Sequence, residues 1–348
     1  MNTKKWIKSV LLITTISITS IISFNYIINP YGVFSNNTYQ GINKVKDNII
    51  NDEVTKFYNA KKESPDVLLI GTSRVEHINP KHLKKYKNGK IFNLAIKGSG
   101  ISTQYNLIRY FATHSDVKTI ILGLDFFAFN PASTQNYKDI NKTRYNNYFI
   151  NDYKDALLSV RTFRKSIKTL SDNIKNKPAK LEYTIGWDSY RQDYIDLKNY
   201  GNVWLKERVN KSFPNFGIDK LFFDNEKFKN KYSIDEGLNI LDSIVNICKI
   251  KNIDLKIFTT PIYHKVHEVI KQRGYQDTYN YWKQHLYEYD IVYDFSYKNS
   301  ITNDYKNYID SSHYQSKLGK LIFARLYDDN ISELPNDFGI ILKTKGDN

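Results

Sequence analysis

Residues 67–74 read VLLIGTSR. Four consecutive apolar residues, Val67 to Ile70, run into a glycine, two hydroxyl residues and an arginine. A short unbroken apolar run closed by a turn signal marks a strand buried on both faces, as in a parallel sheet. The glycine allows a tight turn, and a Thr or Ser behind it can cap the start of a helix. Outward from this stretch the pattern recurs. Residues 90–96 read KIFNLAI and lead to Gly98-Ser99-Gly100; 119–127 read TIILGLDFF; 255–262 read LKIFTTPI; 291–295 read IVYDF. Helical periodicity occupies 102–114, 234–251, 265–288 and 315–327. Strands without polar alternation, separated by amphipathic helices, predict a three-layer α/β/α domain around a mostly parallel sheet of about five strands.

The rhythm breaks between the third and fourth strands. Residues 131–233 are rich in Tyr, Asn, Lys and Asp and hold Trp187 and Trp204. The first half, 152–176, reads as helix and the rest as irregular. Two readings stand for this insertion: a cap that shapes a binding cleft, or a surface excursion.

The N-terminus differs from everything after it. Lys4, Lys5 and Lys8 precede an apolar run, and no charge appears between Lys8 and Lys44. About 20 apolar residues cross a bilayer core. Positive charge on one flank predicts a cytoplasmic N-terminus and an exported body. A cleaved signal peptide is the alternative, but the first alanine of the chain is Ala60, so no A-x-A cleavage site follows the run. The expectation is a single-pass cell-membrane protein: cytoplasmic tip and anchor at 1–29, stalk at 30–64, extracytoplasmic α/β domain at 65–330 including the insertion, and a tail at 331–348. The lone cysteine, Cys248, excludes an internal disulfide and a cysteine-built zinc site.

Lys and Arg number 51 against 36 Asp and Glu, a net charge of +15. Such a balance suits a polyanionic partner, or it reflects a composition rich in Lys, Asn, Ile and Tyr. The lysines are spread along the chain, and no nucleic-acid-binding motif is present.

In an open parallel sheet, ligands bind at the carboxyl ends of the strands. Ser73 follows the first strand, Gly98 the second and Asp125 the third. Asp310-Ser311-Ser312-His313 stands near the end of the chain. These parts suit serine acyl transfer. A serine on a strand-to-helix turn needs an imidazole to take its proton and a carboxylate to hold that imidazole. Asp310 and His313, three residues apart, can serve, and the N–H groups of Ser73 and Gly98 can face an oxyanion. Each element alone has a plain structural reading: a helix cap, a turn, a chance D-x-x-H pair. Their order is more specific.

That order resembles the SGNH hydrolase superfamily. Gly71-Thr72-Ser73 is similar to its Gly-Asp-Ser block, 93–98 (NLAIKG) to the block ending in a glycine oxyanion donor, and Asp310 with His313 to its terminal D-x-x-H. The N-terminal anchor, LLIGTSRVEHINP at 68–80 and DSSHYQSKLG at 310–319 resemble more narrowly the membrane-anchored envelope proteins of the D-alanyl-lipoteichoic acid biosynthesis protein D type and of polysaccharide O-acetylation. The resemblance covers about 65–130 and 250–328. It implies a flavodoxin-like SGNH fold and Ser73, His313 and Asp310 as catalytic triad. It also implies acyl transfer to, or ester hydrolysis on, a cell-surface glycan or wall polymer, without cofactor or metal. A membrane-bound O-acyltransferase is the implied protein partner. The alternative is a non-catalytic envelope protein on the same fold that binds polymer or scaffolds such an acyltransferase.

One position departs from the family. Where an asparagine amide normally donates to the oxyanion, this chain has Asp125, and an ionised carboxylate has no proton to give. Either burial keeps Asp125 protonated, or it pairs with Arg74 or another cation and the hole rests on backbone donors. The second is the expectation. His264, after the fourth strand, is a candidate substrate contact. With His267 it makes an H-x-x-H pair, but no third ligand lies near, so a metal site is not expected. His77 reads as a local packing or surface residue, His82, His114 and His285 as surface, and Cys248 as core.

Overall fold

Val67–Ile70 forms β1, and its four residues are all buried. In the computed structural model it is the second strand of a six-stranded sheet of order β2-β1-β3-β4-β5-β6. The other strands are β2 (Ile91–Asn93), β3 (Thr119–Leu124), β4 (Asp254–Thr259), β5 (Val292–Asp294) and β6 (Ile340–Ile341). The structure describes residues 3–34, 38–46, 52–134, 149–178, 181–182, 184–188, 192–215, 226–289 and 292–342. Within the expected insertion, 135–148 and 216–225 lie outside the described residues, as do Ile291 and 343–348.

The first five strands are parallel. Leu68 stands opposite both Phe92 and Ile120, Ile121 opposite Lys256, and Phe258 opposite Tyr293. From β1 the chain crosses to β2 on one side and returns to β3 on the other, so the strand order switches between β1 and β3. Ligand crevices form at such a point. Parallel strands need crossovers, and helices supply them. Apart from single turns at Pro131–Thr134 and Ser300–Asn303, the helices in chain order are α1 (Thr3–Ile28), α2 (Asp52–Glu63), α3 (Ser73–Glu76), α4 (Ile101–His114), α5 (Ile150–Leu158), α6 (Val160–Ile174), α7 (Gln192–Asn215), α8 (Asp235–Ile250), α9 (Lys265–Gln272), α10 (Gln276–Leu286) and α11 (Leu318–Leu326). α4 and α8 pack together, and α8 also packs on β4. Cys248 on α8 is fully buried, and burial raises its thiol pKa to about 12. The thiolate needed for reaction is therefore scarce at neutral pH.

Three expectations are corrected. The tail beginning at 331 is not merely a tail: β6 adds an antiparallel edge with Tyr293 opposite Ile341, and buried Phe338 packs on Phe295 at 4.7 Å. The second half of the insertion is not wholly irregular, because α7 occupies 192–215 with a kink at Gly201. The helical run 265–288 is two helices, α9 and α10, interrupted at 273–275.

The chain divides into two units. One holds 63–139 and 182–348, with the sheet; the other holds 1–62 and 140–181. The insertion is thus divided, its residues 140–181 grouping with the N-terminal 62 residues rather than with the α/β domain. In that smaller unit α1 is 26 residues long and apolar enough to cross a membrane, with only 11% of its most apolar window buried. Its C-terminal end is tied down by polar bonds. Asn25 Nδ2 donates to Leu157 O at 2.8 Å, and Ser166 Oγ donates to Asn25 Oδ1 at 2.8 Å. Lys46 Nζ donates to Asn29 O at 3.0 Å, and Lys62 Nζ donates to Gly32 O. These ammonium groups occupy the carbonyl-rich end of the helix, where cations are favoured. Burial lowers the pKa of each to about 8.

Candidate active site

The turn after β1 depends on a missing side chain. A Cβ on Gly71 would lie 2.4 Å from Val75 Cγ2 and 2.8 Å from Gly123 O, so any other residue would push β1 away from β3. Thr72 then caps α3, accepting a hydrogen bond from Arg74 N. Ser73 opens the helix at the carboxyl end of β1. On the neighbouring strand, Asn93 Nδ2 donates to Val75 O and Ile78 O, both at 2.9 Å, and fixes the end of β2 to this turn.

Ser73, His313 and Asp310 come together. His313 Nε2 lies 2.9 Å from Ser73 Oγ, and Nδ1 lies 3.0 and 2.9 Å from the two oxygens of Asp310. A carboxylate beside Nδ1 assigns the proton to Nδ1 and leaves Nε2 to accept from the serine hydroxyl. Asp310 also accepts from the N–H groups of Ser312 and His313, both at 2.7 Å. Burial alone would raise the Asp310 pKa, but the charge and hydrogen bonds of His313 and the two N–H donors outweigh it and hold the carboxyl below its ordinary range. The residue stays ionised and able to hold an imidazolium.

Arg74 and Asp125 are also joined, and both are buried. Asp125 accepts from Arg74 Nη1, Thr72 Oγ1 and Thr260 Oγ1. Arg74 directs two further donors at the D-x-x-H loop: Nε donates to Ser312 O at 2.7 Å and Nη2 to Ser312 Oγ at 3.2 Å. Its guanidinium lies 4.7 Å from the centre of the Phe127 ring. The residue after the candidate nucleophile therefore grips the residue before the candidate base. Asp125 is the counter-ion of this clamp, and the oxyanion role of an asparagine has no counterpart there.

Gly98 sits on an exposed turn after β2 with φ at +65°, a conformation that favours glycine, and a Cβ would meet nothing within 4 Å. The N–H groups of Ser73 and Gly98 make no hydrogen bond among the described residues.

His264 goes elsewhere. It lines a cavity of about 280 Å³ with His267, Glu268, Tyr279, Lys283 and Ser296, and neither Ser73 nor His313 borders it. Among the described residues no His, Cys, Asp and Glu group could hold a metal ion. His267 has a different consequence. Its Nε2 is buried without a partner among the described residues. Burial first, then nearby Lys283, lower its pKa to about 4, against the opposing pull of Asp294. Between pH 6.5 and 4 the unfolded chain binds a proton that the folded chain refuses, so stability rises with pH through that window. Thermal unfolding across it is expected to show an acid-side loss of about 3 kcal/mol, and His267→Phe should flatten that slope.

The sequence reading missed several residues. His77, expected in a packing or surface role, takes the first: it is fully buried, and what was missed is its partner, the ring of His313, stacked on it at 4.9 Å and 20°. Its position four residues after Ser73, one helical turn on, was the available signal. Thr260, Ser312 and Phe127 were not singled out. His82, read as surface, is half-buried, as is His285, whereas His114 is exposed as expected.

No protein-family model matches this chain, and no curated protein is significantly similar to it in sequence.

Proposed function

We propose that this chain is a membrane-anchored, extracytoplasmic serine acyl-transfer enzyme with a flavodoxin-like SGNH domain. It transfers an acyl group to, or hydrolyses an ester on, a cell-surface glycan or wall polymer. The observation that carries the reading is the continuous hydrogen-bond chain Ser73–His313–Asp310 at the strand-order switch. His313 takes the Ser73 proton as Oγ attacks the acyl carbonyl. The N–H groups of Ser73 and Gly98 stabilise the oxyanion. His313 then protonates the leaving alcohol, and an acyl-serine remains. A glycan hydroxyl, or water, attacks this ester with His313 again as base, and Ser73 regains its proton. A membrane-bound O-acyltransferase fits as the source of the acyl group, and the anchor would keep the two proteins in one membrane. No cofactor is needed for these steps.

The full chain in detergent, mixed with p-nitrophenyl acetate, is expected to release a stoichiometric burst of nitrophenolate and to gain one acetyl group on the peptide that contains Ser73. A chain that neither bursts nor becomes acetylated would leave the scaffold reading, which the unusual Asp125 favours, as the better account.

A further inference from the structure

Helix α6 is built inside out for a helix in water. Its small polar residues Thr162, Ser166, Thr169 and Asn173 are buried. Its aliphatic residues Val160, Ile167 and Ile174 are 68%, 49% and 66% exposed. The buried side packs within its own unit: Ser166 bonds to Asn25, and Asn173 bonds to both N–H and C=O of Val45, while Thr169 Oγ1 is buried without a partner among the described residues. The aliphatic residues recur every seven positions, two turns apart, and so form one stripe along the helix. Leu158 and Ile150 on α5 are exposed as well. Residues 160–177 carry six basic side chains against one acid. That acid, Asp172, pairs with Lys168 and Lys177, and Arg164, exposed, flanks the stripe.

The level of this stripe is set by α1. Lys8 is the last charge before the apolar run, and about 20 residues span the hydrocarbon, which places the exit near Ile28. Phe24 and Asn25 therefore lie at the boundary. Both are held by this hairpin: Phe24 packs edge-on against Phe163 of α6 at 5.7 Å, and Asn25 bonds to Leu157 of α5. Elements bonded to those residues cannot stand clear of the headgroups.

We propose that the α5–α6 hairpin lies in the membrane interface, its Val160–Ile167–Ile174 stripe turned into the acyl boundary and its cations among anionic lipid headgroups. An apolar stripe flanked by Lys and Arg is the pattern of an interfacial helix. The inference rests on reading α1 as a membrane span, so the test reports on both. The full chain carrying Val160→Cys, Ile167→Cys or Ile174→Cys is nitroxide-labelled and reconstituted in vesicles of phosphatidylcholine and phosphatidylglycerol. Leu12→Cys reports on α1, and Lys251→Cys, exposed at the end of α8, serves as the aqueous control. Cys248, buried and poorly ionised, is not expected to compete for label. Collisions with oxygen and with a water-soluble nickel complex should place the three stripe positions about 5–10 Å below the headgroups, position 12 in hydrocarbon and position 251 in water. Position 12 in hydrocarbon with the stripe in water would overturn the docking and leave the anchor standing. Position 12 in water would remove the anchor and the docking with it. Stripe labels shielded from both reagents would mean that a protein surface, such as a second copy, covers them, which also overturns the proposal.

Discussion

Ser73→Ala and His313→Ala are each expected to lower turnover of an activated ester by about 10⁶, and the double variant no further. In the proposed mechanism the two side chains perform one act. Without the imidazole the hydroxyl keeps its proton; without the hydroxyl the imidazole has nothing to activate. Residual rate would come from the backbone N–H groups and from binding. Asp310→Asn should cost about 10⁴, because an amide can offer N–H to Nδ1 and select the tautomer that cannot accept from Ser73. That variant also weakens the acceptor shared by the N–H groups of Ser312 and His313, so its unfolding must be followed in parallel. Ser73→Ala removes a half-buried hydroxyl and should melt within about 0.5 kcal/mol of wild type. Steady-state and single-turnover rates with p-nitrophenyl acetate check the set. Losses that multiply in the double variant would mean that Ser73 and His313 act separately.

What the sequence makes legible follows the kind of signal each part carries. β1 falls where the pattern placed it and β3 begins there, because burial on both faces leaves no polar alternation, but β3 ends at Leu124 and the apolar Phe126–Phe129 beyond it form a buried turn. Ser73, Gly98, Asp125 and the D-x-x-H pair were visible because each follows a strand end or forms a spaced motif. β6 was not legible: two residues show no period, and the strand exists because it can pair with β5. α7 was hidden by its Tyr, Asn and Gly content. The grouping of α5 and α6 with α1 was hidden for a different reason. Asn25, Ser166 and Asn173 hold it together by hydrogen bonds, and small polar residues look in sequence like any solvated surface. The same applies to Thr72, Thr260 and Ser312, hydroxyl residues whose importance comes from sharing Asp125 and Arg74.

The clamp formed by those residues yields the other large effect. Asp125→Ala leaves the Arg74 guanidinium buried without its counter-ion, and breaking a buried pair in this way costs about 3–5 kcal/mol. Chemical denaturation should show a midpoint shift of that size, far beyond the typical effect of a point substitution. Asp125→Asn retains acceptor capacity for Thr260 or Arg74 but removes the charge, so a smaller loss of stability and a fall in turnover are expected; unchanged turnover would exclude a required carboxylate. Stability alone does not establish the role, because any buried ion pair would give the first result. The decisive variant replaces both partners by apolar residues, Arg74→Met with Asp125→Leu. Removing both charges together should restore most of the stability, since well-packed apolar pairs often equal or exceed the ion pairs they replace. Activity should not return with it. Ser312 O and Oγ would have lost the Arg74 donors that tie the Asp310–His313 loop to the turn bearing Ser73. A misplacement of about 1 Å between nucleophile and base can cost roughly 10² in rate. A double variant that recovers both stability and turnover would reduce Arg74 and Asp125 to structural filling, whereas recovery of stability alone assigns the clamp to positioning His313 against Ser73.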